Sequence, residues 1–340
     1  MSPSTQPGFV DLQVNGFGGE DANAPDLTTE TVVALTRKLW AEGTTTYLPT
    51  IITASEPRML HALEVVAAAR RLDSRVAHSI AGVHLEGPAL SAIDGARGAH
   101  DPSAMRDPSL AELDRWQEAS GGLVRVVTLA PERPGAAEFA SGAVERGVHV
   151  SLGHAAPTPD DVHAAADAGA TLSTHLGNGS ARLLPRHPNH LWAQLADDRL
   201  TAMLITDGHH LDADTATAMI RAKGTHRVLL TSDSAALAGS APGTYRTPVG
   251  GDVTVCDDGR LQLSATGLLA GSGCSLRQCV DWARSALPLP DEDLVAMATT
   301  QPARMLGLTD RTADTVVLDL DESTSRVREV RVAGDIVHTA

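Results

Sequence analysis

Glu86, His154, His175 and Asp233 are of the residue types that hold a divalent metal and move protons. Imidazole nitrogen and carboxylate oxygen are ligands for zinc and similar ions, and a catalytic site takes three protein ligands while leaving a position for water. Glu86, His154 and His175 meet that count, and Asp233 is a further carboxylate suited to accept and return a proton. Taken singly, a strand-end histidine is more often a hydrogen-bonded core residue, and an aspartate is a common helix cap. What favours chemistry is a shared position, because each of the four closes a run that reads as a β-strand.

Those runs are residues 9–14, 44–48, 79–84, 124–129, 149–152, 170–174, 201–205 and 227–231. They alternate with stretches of helical spacing, among them 29–41 (opened by a Thr28/Thr29 cap signal), 56–71, 159–168 and 213–221. This βα rhythm with eight strands predicts a (β/α)₈ barrel, whose chemistry sits at the C-terminal ends of the strands. The ends read Gln13-Val14-Asn15, His84-Leu85-Glu86, Gly153-His154, Thr174-His175, Asp207-Gly208-His209-His210 and Ser232-Asp233. His84 shares a strand face with Glu86 and is assigned to the barrel interior. The other histidines, such as His61, His78, His149, His163, His226 and His338, fall at element starts, in helices or on the opposite face, where they ligate nothing.

After Asp233 the rhythm changes. Residues 245–263 read as hairpins turning at Gly250-Gly251 and Asp258-Gly259, residues 275–286 and 292–305 as helices, and residues 315–337 as strands. We therefore expect a barrel over 7–306 and a small β unit over 307–340, whose tail needs further strand partners because an isolated hairpin is marginal in water.

The 340-residue chain, 42% hydrophobic and 20% charged, suffices for one large α/β domain. A formal charge of −15 argues against nucleic-acid or anionic-membrane partners, so any phosphate on a ligand must be met by a local cluster. Three cysteines without a Cys-x-x-Cys, no signal-like N-terminus and no apolar run near 20 residues predict a soluble, cytoplasmic protein without structural disulfides.

Several segments carry a resemblance. They include Pro7-Gly8-Phe9-Val10-Asp11-Leu12-Gln13-Val14-Asn15-Gly16, Gly43-Thr44-Thr45-Thr46-Tyr47-Leu48-Pro49-Thr50, His84-Leu85-Glu86-Gly87-Pro88 and Gly98-Ala99-His100. Further along are Thr128-Leu129-Ala130-Pro131-Glu132, Thr174-His175-Leu176 with Asn178, Asp207-Gly208-His209-His210 and Ala270-Gly271-Ser272. Over most of its length the chain resembles the N-acetylglucosamine-6-phosphate deacetylase family of the amidohydrolase superfamily. The resemblance implies Glu86, His154 and His175 as metal ligands, Asp233 as acid/base, and His210 as a group that polarises the substrate carbonyl. It implies substrate contacts at His100, Asn178, Gly179 and Arg186, and a homodimer that completes the site. Many amidohydrolases begin with His-x-His and bind a second metal; Gln13 and Asn15 stand there instead, implying a single ion, with zinc suited to the ligands and iron, cobalt or manganese able to take the same groups.

The chain departs from the family pattern twice. An Arg-Glu-Pro-Gly type motif is replaced by Arg186-His187-Pro188-Asn189, with Arg182 and His190 nearby. Only residues 1–6 precede Pro7, where the family has a longer β stretch, so the N-terminal half of the usual β-sandwich is expected to be missing. The expected reaction is hydrolysis of N-acetylglucosamine-6-phosphate to glucosamine-6-phosphate and acetate. Two other readings stay open: an amidohydrolase acting on a different, unphosphorylated N-acyl compound, and a non-catalytic barrel serving as a binding module.

Overall fold

The computed structural model describes residues 3–248, 250–321 and 324–340. Eight parallel strands, Phe9–Val14, Thr44–Ile52, Val83–Glu86, Val124–Leu129, His149–Leu152, Leu172–Ser173, Thr201–Leu204 and Val228–Leu230, pair in sequence order. The last strand meets the first through a parallel bridge, Val14 with Ser234, and Asn15 N and Gly16 N both donate to the Ser234 carbonyl. The Asp11 carboxylate reinforces this seam by accepting from the Thr231 hydroxyl at 2.8 Å and the Ser232 N–H at 3.1 Å. The expected barrel is therefore present.

Several strand boundaries differ from the sequence reading: the sixth, seventh and eighth strands are shorter than read, and the largest changes are at the second and third. The second strand runs on to Ile52, and the third begins at Val83 rather than at residue 79. Residues Ser74–Ser79 are helical instead, because the Asp73 side chain accepts the Arg75 N–H and caps a short helix. The first helix, Thr29–Ala41, starts where its cap predicts, with the Thr28 hydroxyl accepting from Thr31 N.

Inside the barrel, Val10, Leu12, Leu48, Val126, Leu172, Met203 and Leu229 cluster with Ala303, within helix Thr300–Met305, and Leu306, which caps it. Leu306 O accepts from Arg125 beside the start of the fourth strand, so this plug closes the N-terminal end of the barrel. Nearer the other end the interior is polar. His84 Nδ1 donates to Leu12 O and its Nε2 meets Thr128 Oγ1 at 2.7 Å, and Thr128 and Ser151 both bond to Thr174 Oγ1. Burial lowers the His84 pKa to about 4, so it serves as a neutral interior spacer.

Thr315–Leu320, Ser325–Val332 and Asp335–Thr339 form an antiparallel sheet, and the strand partner the tail requires is Pro3–Pro7, paired along Thr315–Leu320. Val316, Leu318 and Val330 bury against Phe9, Leu276, Cys279 and Val280. A charged network ties this sheet to the barrel's outer helices: Arg277 bridges Glu42, Asp281 and the Ser325 carbonyl, while Asp281 accepts from Ser325 N and Oγ. The hairpins expected at 245–263 form a three-stranded sheet of Gly243–Thr247, Gly251–Val255 and Leu261–Leu263.

The network yields a stability prediction. Asp281→Ala removes one partner of a largely buried ionic cluster and should destabilise the protein by about 3 kcal/mol, read as a lower urea midpoint; an unchanged midpoint would show that the sheet docks through its apolar face alone.

Candidate metal and amide-hydrolysis site

Glu86, His154 and His175 converge although they come from three strands. His175 Nε2 lies 3.1 Å from Glu86 Oε1, His154 Nε2 lies 3.2 Å from the same oxygen, and the two Nε2 atoms are 3.1 Å apart. Ligands about 2.0–2.1 Å from a tetrahedral zinc are separated by about 3.3 Å, so the triangle has the size of a metal's ligand face. Its chemistry fits as well. His154 Nδ1 is 2.9 Å from the Ala96 carbonyl and must donate to it, which in the neutral ring leaves Nε2 with a lone pair aimed at the triangle. A proton can lie along only one edge of the triangle at a time, whereas a cation at its centre meets all three atoms.

Local backbone geometry places these groups. His154, His175 and Asp233 have φ of 48°, 29° and 50°, a left-handed conformation uncommon outside glycine. Each turns sharply as its strand ends, which directs the side chain over the barrel mouth. Such strain persists only where the surroundings impose it. Around His154 they do so closely: a Cβ on Gly98 would come within 2.9 Å of His154 Cε1, and one on Gly179 within 2.9 Å of His154 Nδ1.

Burial pushes the Glu86 carboxyl up, but the charge and hydrogen bonds of His154, with help from His175 and His100, hold it well below the usual carboxylate range. Asp233 behaves oppositely. Burial and then the Glu86 charge raise it to about 6, against His175, His210 and a 2.7 Å hydrogen bond donated by Asn15 Nδ2 to its Oδ1. His210 Nδ1 sits 2.8 Å from Asp207 Oδ2, while Asp207 Oδ1 accepts the His209 and His210 N–H groups. Burial lowers the His210 pKa, but Asp207 outweighs it and the net shift is upward.

A cavity of about 350 Å³ joins these groups, lined by Glu86, His154, His175, Asp233, His210, His100, Asn178 and Gly179 among others. His100 lies deeper than a peripheral sugar contact would, with Nε2 3.6 Å from Glu86 Oε2 and its pKa lowered to about 3 by burial and by His154. Arg186 is exposed, as is Arg182, and neither is among the cavity-lining residues. The opposite wall is apolar and comes from the inserted sheet and its flanks, including Leu237, Val253, Leu261, Leu269 and Ala270.

Some groups at the site carry no role in the sequence reading. Gln13 Nε2 donates to Glu86 Oε1 at 2.9 Å, so Gln13 and Asn15 each hold one carboxylate. Asp207 was legible only as the start of an Asp-Gly-x-His run, whose i,i+3 spacing on a turn is the signal for a carboxylate–imidazole pair.

Residues 6–339 match the amidohydrolase family. The chain is 35% identical to the N-acetylgalactosamine-6-phosphate deacetylase of Shewanella sp. (strain ANA-3), over 98% of this chain and 83% of that protein. It is 31% identical to the N-acetylglucosamine-6-phosphate deacetylase of Bacillus subtilis (strain 168), over 92% and 77%. Among solved structures it superposes on the N-acetyl-D-glucosamine-6-phosphate deacetylase of Mycobacterium smegmatis with a TM-score of 0.88 and 34% identity, covering 99% of this chain and 88% of that one.

Two outcomes follow from the geometry. Gly179→Ala must displace the His154 ring, and divalent-metal affinity should fall about 10- to 100-fold, measured by competition with a chromophoric chelator; retained affinity would show that the ring can shift without loss. In metal-free protein the Asp233 carboxyl should titrate near about 6, protonated below that pH, and added divalent cation should lower the midpoint. The infrared carbonyl band lost in Asp233→Asn reports it, and a midpoint unmoved by metal would separate Asp233 from the triangle.

Proposed function

This chain belongs to the amidohydrolase family, on its amino-sugar-6-phosphate deacetylase branch, and from that premise we propose that it removes the acetyl group from N-acetylglucosamine-6-phosphate, releasing glucosamine-6-phosphate and acetate. It is a hydrolase of carbon–nitrogen bonds with a Glu/His/His site able to hold a divalent metal. The observation that carries the reading is the pairing of that site with a second carboxylate, Asp233, whose pKa is displaced to about 6. Two carboxylates with separated pKa values divide into a ligand that stays ionised and a group that exchanges protons near neutrality.

Glu86, His154 and His175 would hold a single cation, best suited to zinc, which when bound would supply Lewis-acid polarisation of the amide carbonyl and acidify a water. Asp233 accepts a proton from the attacking water; Asn15 occupies Oδ1, which leaves Oδ2 for this exchange. The protonated Asp233 then donates to the departing nitrogen, which would otherwise leave as a strongly basic amide anion. His210 is held by Asp207 through Nδ1, which shifts its pKa upward and so favours the doubly protonated ring, whose Nε2–H would meet the carbonyl oxygen as negative charge develops there. His100, Asn178 and Gly179 bound the space for the sugar.

A second reading has a specific observation behind it. Among the described residues, the cavity lining includes Asp21, Glu86 and Asp233 but no arginine or lysine. A 6-phosphate must therefore meet Arg182 or Arg186 from the rim, or Arg186 from a second copy in a homodimer; failing that, the substrate is an unphosphorylated N-acyl compound. The three free cysteines suit a reducing cytoplasm.

Turnover of N-acetylglucosamine-6-phosphate should exceed that of N-acetylglucosamine by orders of magnitude in kcat/KM, and Arg186→Ala should erase the difference. Equal rates on the two sugars would transfer the assignment to the unphosphorylated class, and a faster reaction with N-acetylgalactosamine-6-phosphate would change the sugar epimer alone. Asp233→Asn should lower kcat by about 10²–10⁴-fold with metal content unchanged; near-normal kcat would exclude the proton-transfer role.

A further inference from the structure

Beneath the substrate loop, behind His154, lies a second cavity of only about 10 Å³, whose walls include Asn178, Leu191, His190 and Gln194. The last three belong to helix His190–Ala196, which leads out of the segment where this chain departs from its family. Three buried side-chain atoms on these walls have no hydrogen-bond partner in the protein: Asn178 Nδ2, His190 Nε2 and Gln194 Oε1. Leaving buried polar atoms unmatched costs free energy, and three on one small space point to a shared guest.

The polarity of the three atoms identifies it. Gln194 Nε2 lies 3.2 Å from His190 Nδ1 and donates to it, so the imidazole proton is on Nε2. Burial lowers the His190 pKa, which keeps the ring neutral with that single proton. The residues walling the cavity thus carry two unmatched donors, His190 Nε2–H and Asn178 Nδ2–H, and one unmatched acceptor, Gln194 Oε1. A water accepts two hydrogen bonds and donates to the third partner, and its probe-sized volume of roughly 10–15 Å³ matches the space. Two N–H donors against one neutral acceptor suit a water and not a metal ion.

We propose that Asn178, His190 and Gln194 hold one buried water, and that through it helix His190–Ala196 fixes the orientation of Asn178 at the substrate cavity. Asn178 lines both cavities, so whatever restrains its amide on the inner side sets what it presents on the outer. His190 and Gln194 are then positioning residues that do not touch substrate. The functional half of this inference rests on the reading that Asn178 contacts the sugar.

A high-resolution crystal structure of the metal-loaded enzyme tests the water directly. One ordered solvent peak within hydrogen-bonding distance of all three atoms is expected; an empty cavity, or a direct Asn178–Gln194 bond, overturns the site. Kinetics test the positioning. His190→Leu and Gln194→Met should each raise KM roughly five- to tenfold with kcat and metal content nearly unchanged, and His190→Gln, whose amide can replace the Nε2–H donor, should recover most of the loss. In an Asn178→Ala background the same substitutions should have no further effect on KM. Additive losses there would overturn the coupling, since a merely structural helix would weaken both backgrounds equally. If Asn178→Ala alone leaves KM unchanged while the solvent peak is present, the sugar contact fails and the water site stands; should His190→Leu fold poorly, Gln194→Met carries the test.

Discussion

A carboxylate only 3% exposed must be surrounded by groups that replace water, and the whole upper end of this barrel is organised around Glu86. An unpaired buried carboxylate costs several kcal/mol even after local relaxation, so the fold could not keep it ionised without help. The help is layered. Gln13 donates to one oxygen, His154 and His175 close on that same oxygen, and His100 stands off the other. Because both imidazoles of the triangle crowd one point, the arrangement that satisfies all three atoms together is a shared cation. The same requirement that stabilises the charge thus creates a cluster able to hold a metal ion.

That charge also prepares the rest of the chemistry. Asp233 is buried in the same cavity and feels Glu86 across it, so its proton is held more tightly than in water. Asn15 opposes this by donating to one oxygen, and the result is a carboxyl poised near neutrality rather than one that is always neutral. Asp207 likewise holds the His210 proton more tightly, against the pull of burial. Two carboxylates and an imidazole of ordinary type, Glu86, Asp233 and His210, are thereby shifted in different directions by their neighbours alone.

Precision comes from the backbone. Three site residues adopt left-handed conformations, and glycines pack against His154 where any Cβ would intrude. The barrel seam beneath Asp233 is tied by Asp11, which holds the strand that leads to Asp233 in register with the one carrying Gln13 and Asn15. The inserted sheet contributes an apolar wall to the cavity that holds Glu86 and Asp233.

Much of this was legible in the amino-acid order. Eight β-like runs alternating with helices predict a parallel sheet, because a parallel strand needs a crossover, and a count of eight suits its closure into a barrel. Once a barrel is given, the C-terminal strand ends are fixed in space, and Glu86, His154, His175 and Asp233 fall there by position alone. Local capping was legible as well, as at Thr28. What sequence order could not carry is anything set by contact between distant segments. Pro3–Pro7 as the partner of the C-terminal strands, Gln13 on Glu86, Asn15 on Asp233, and Asn178 with His190 and Gln194 on one small cavity all join groups whose separation along the chain says nothing about their distance. Residue type determined which chemistry was available; only the tertiary structure decided protonation and orientation, because both depend on burial and on neighbours within a few ångströms.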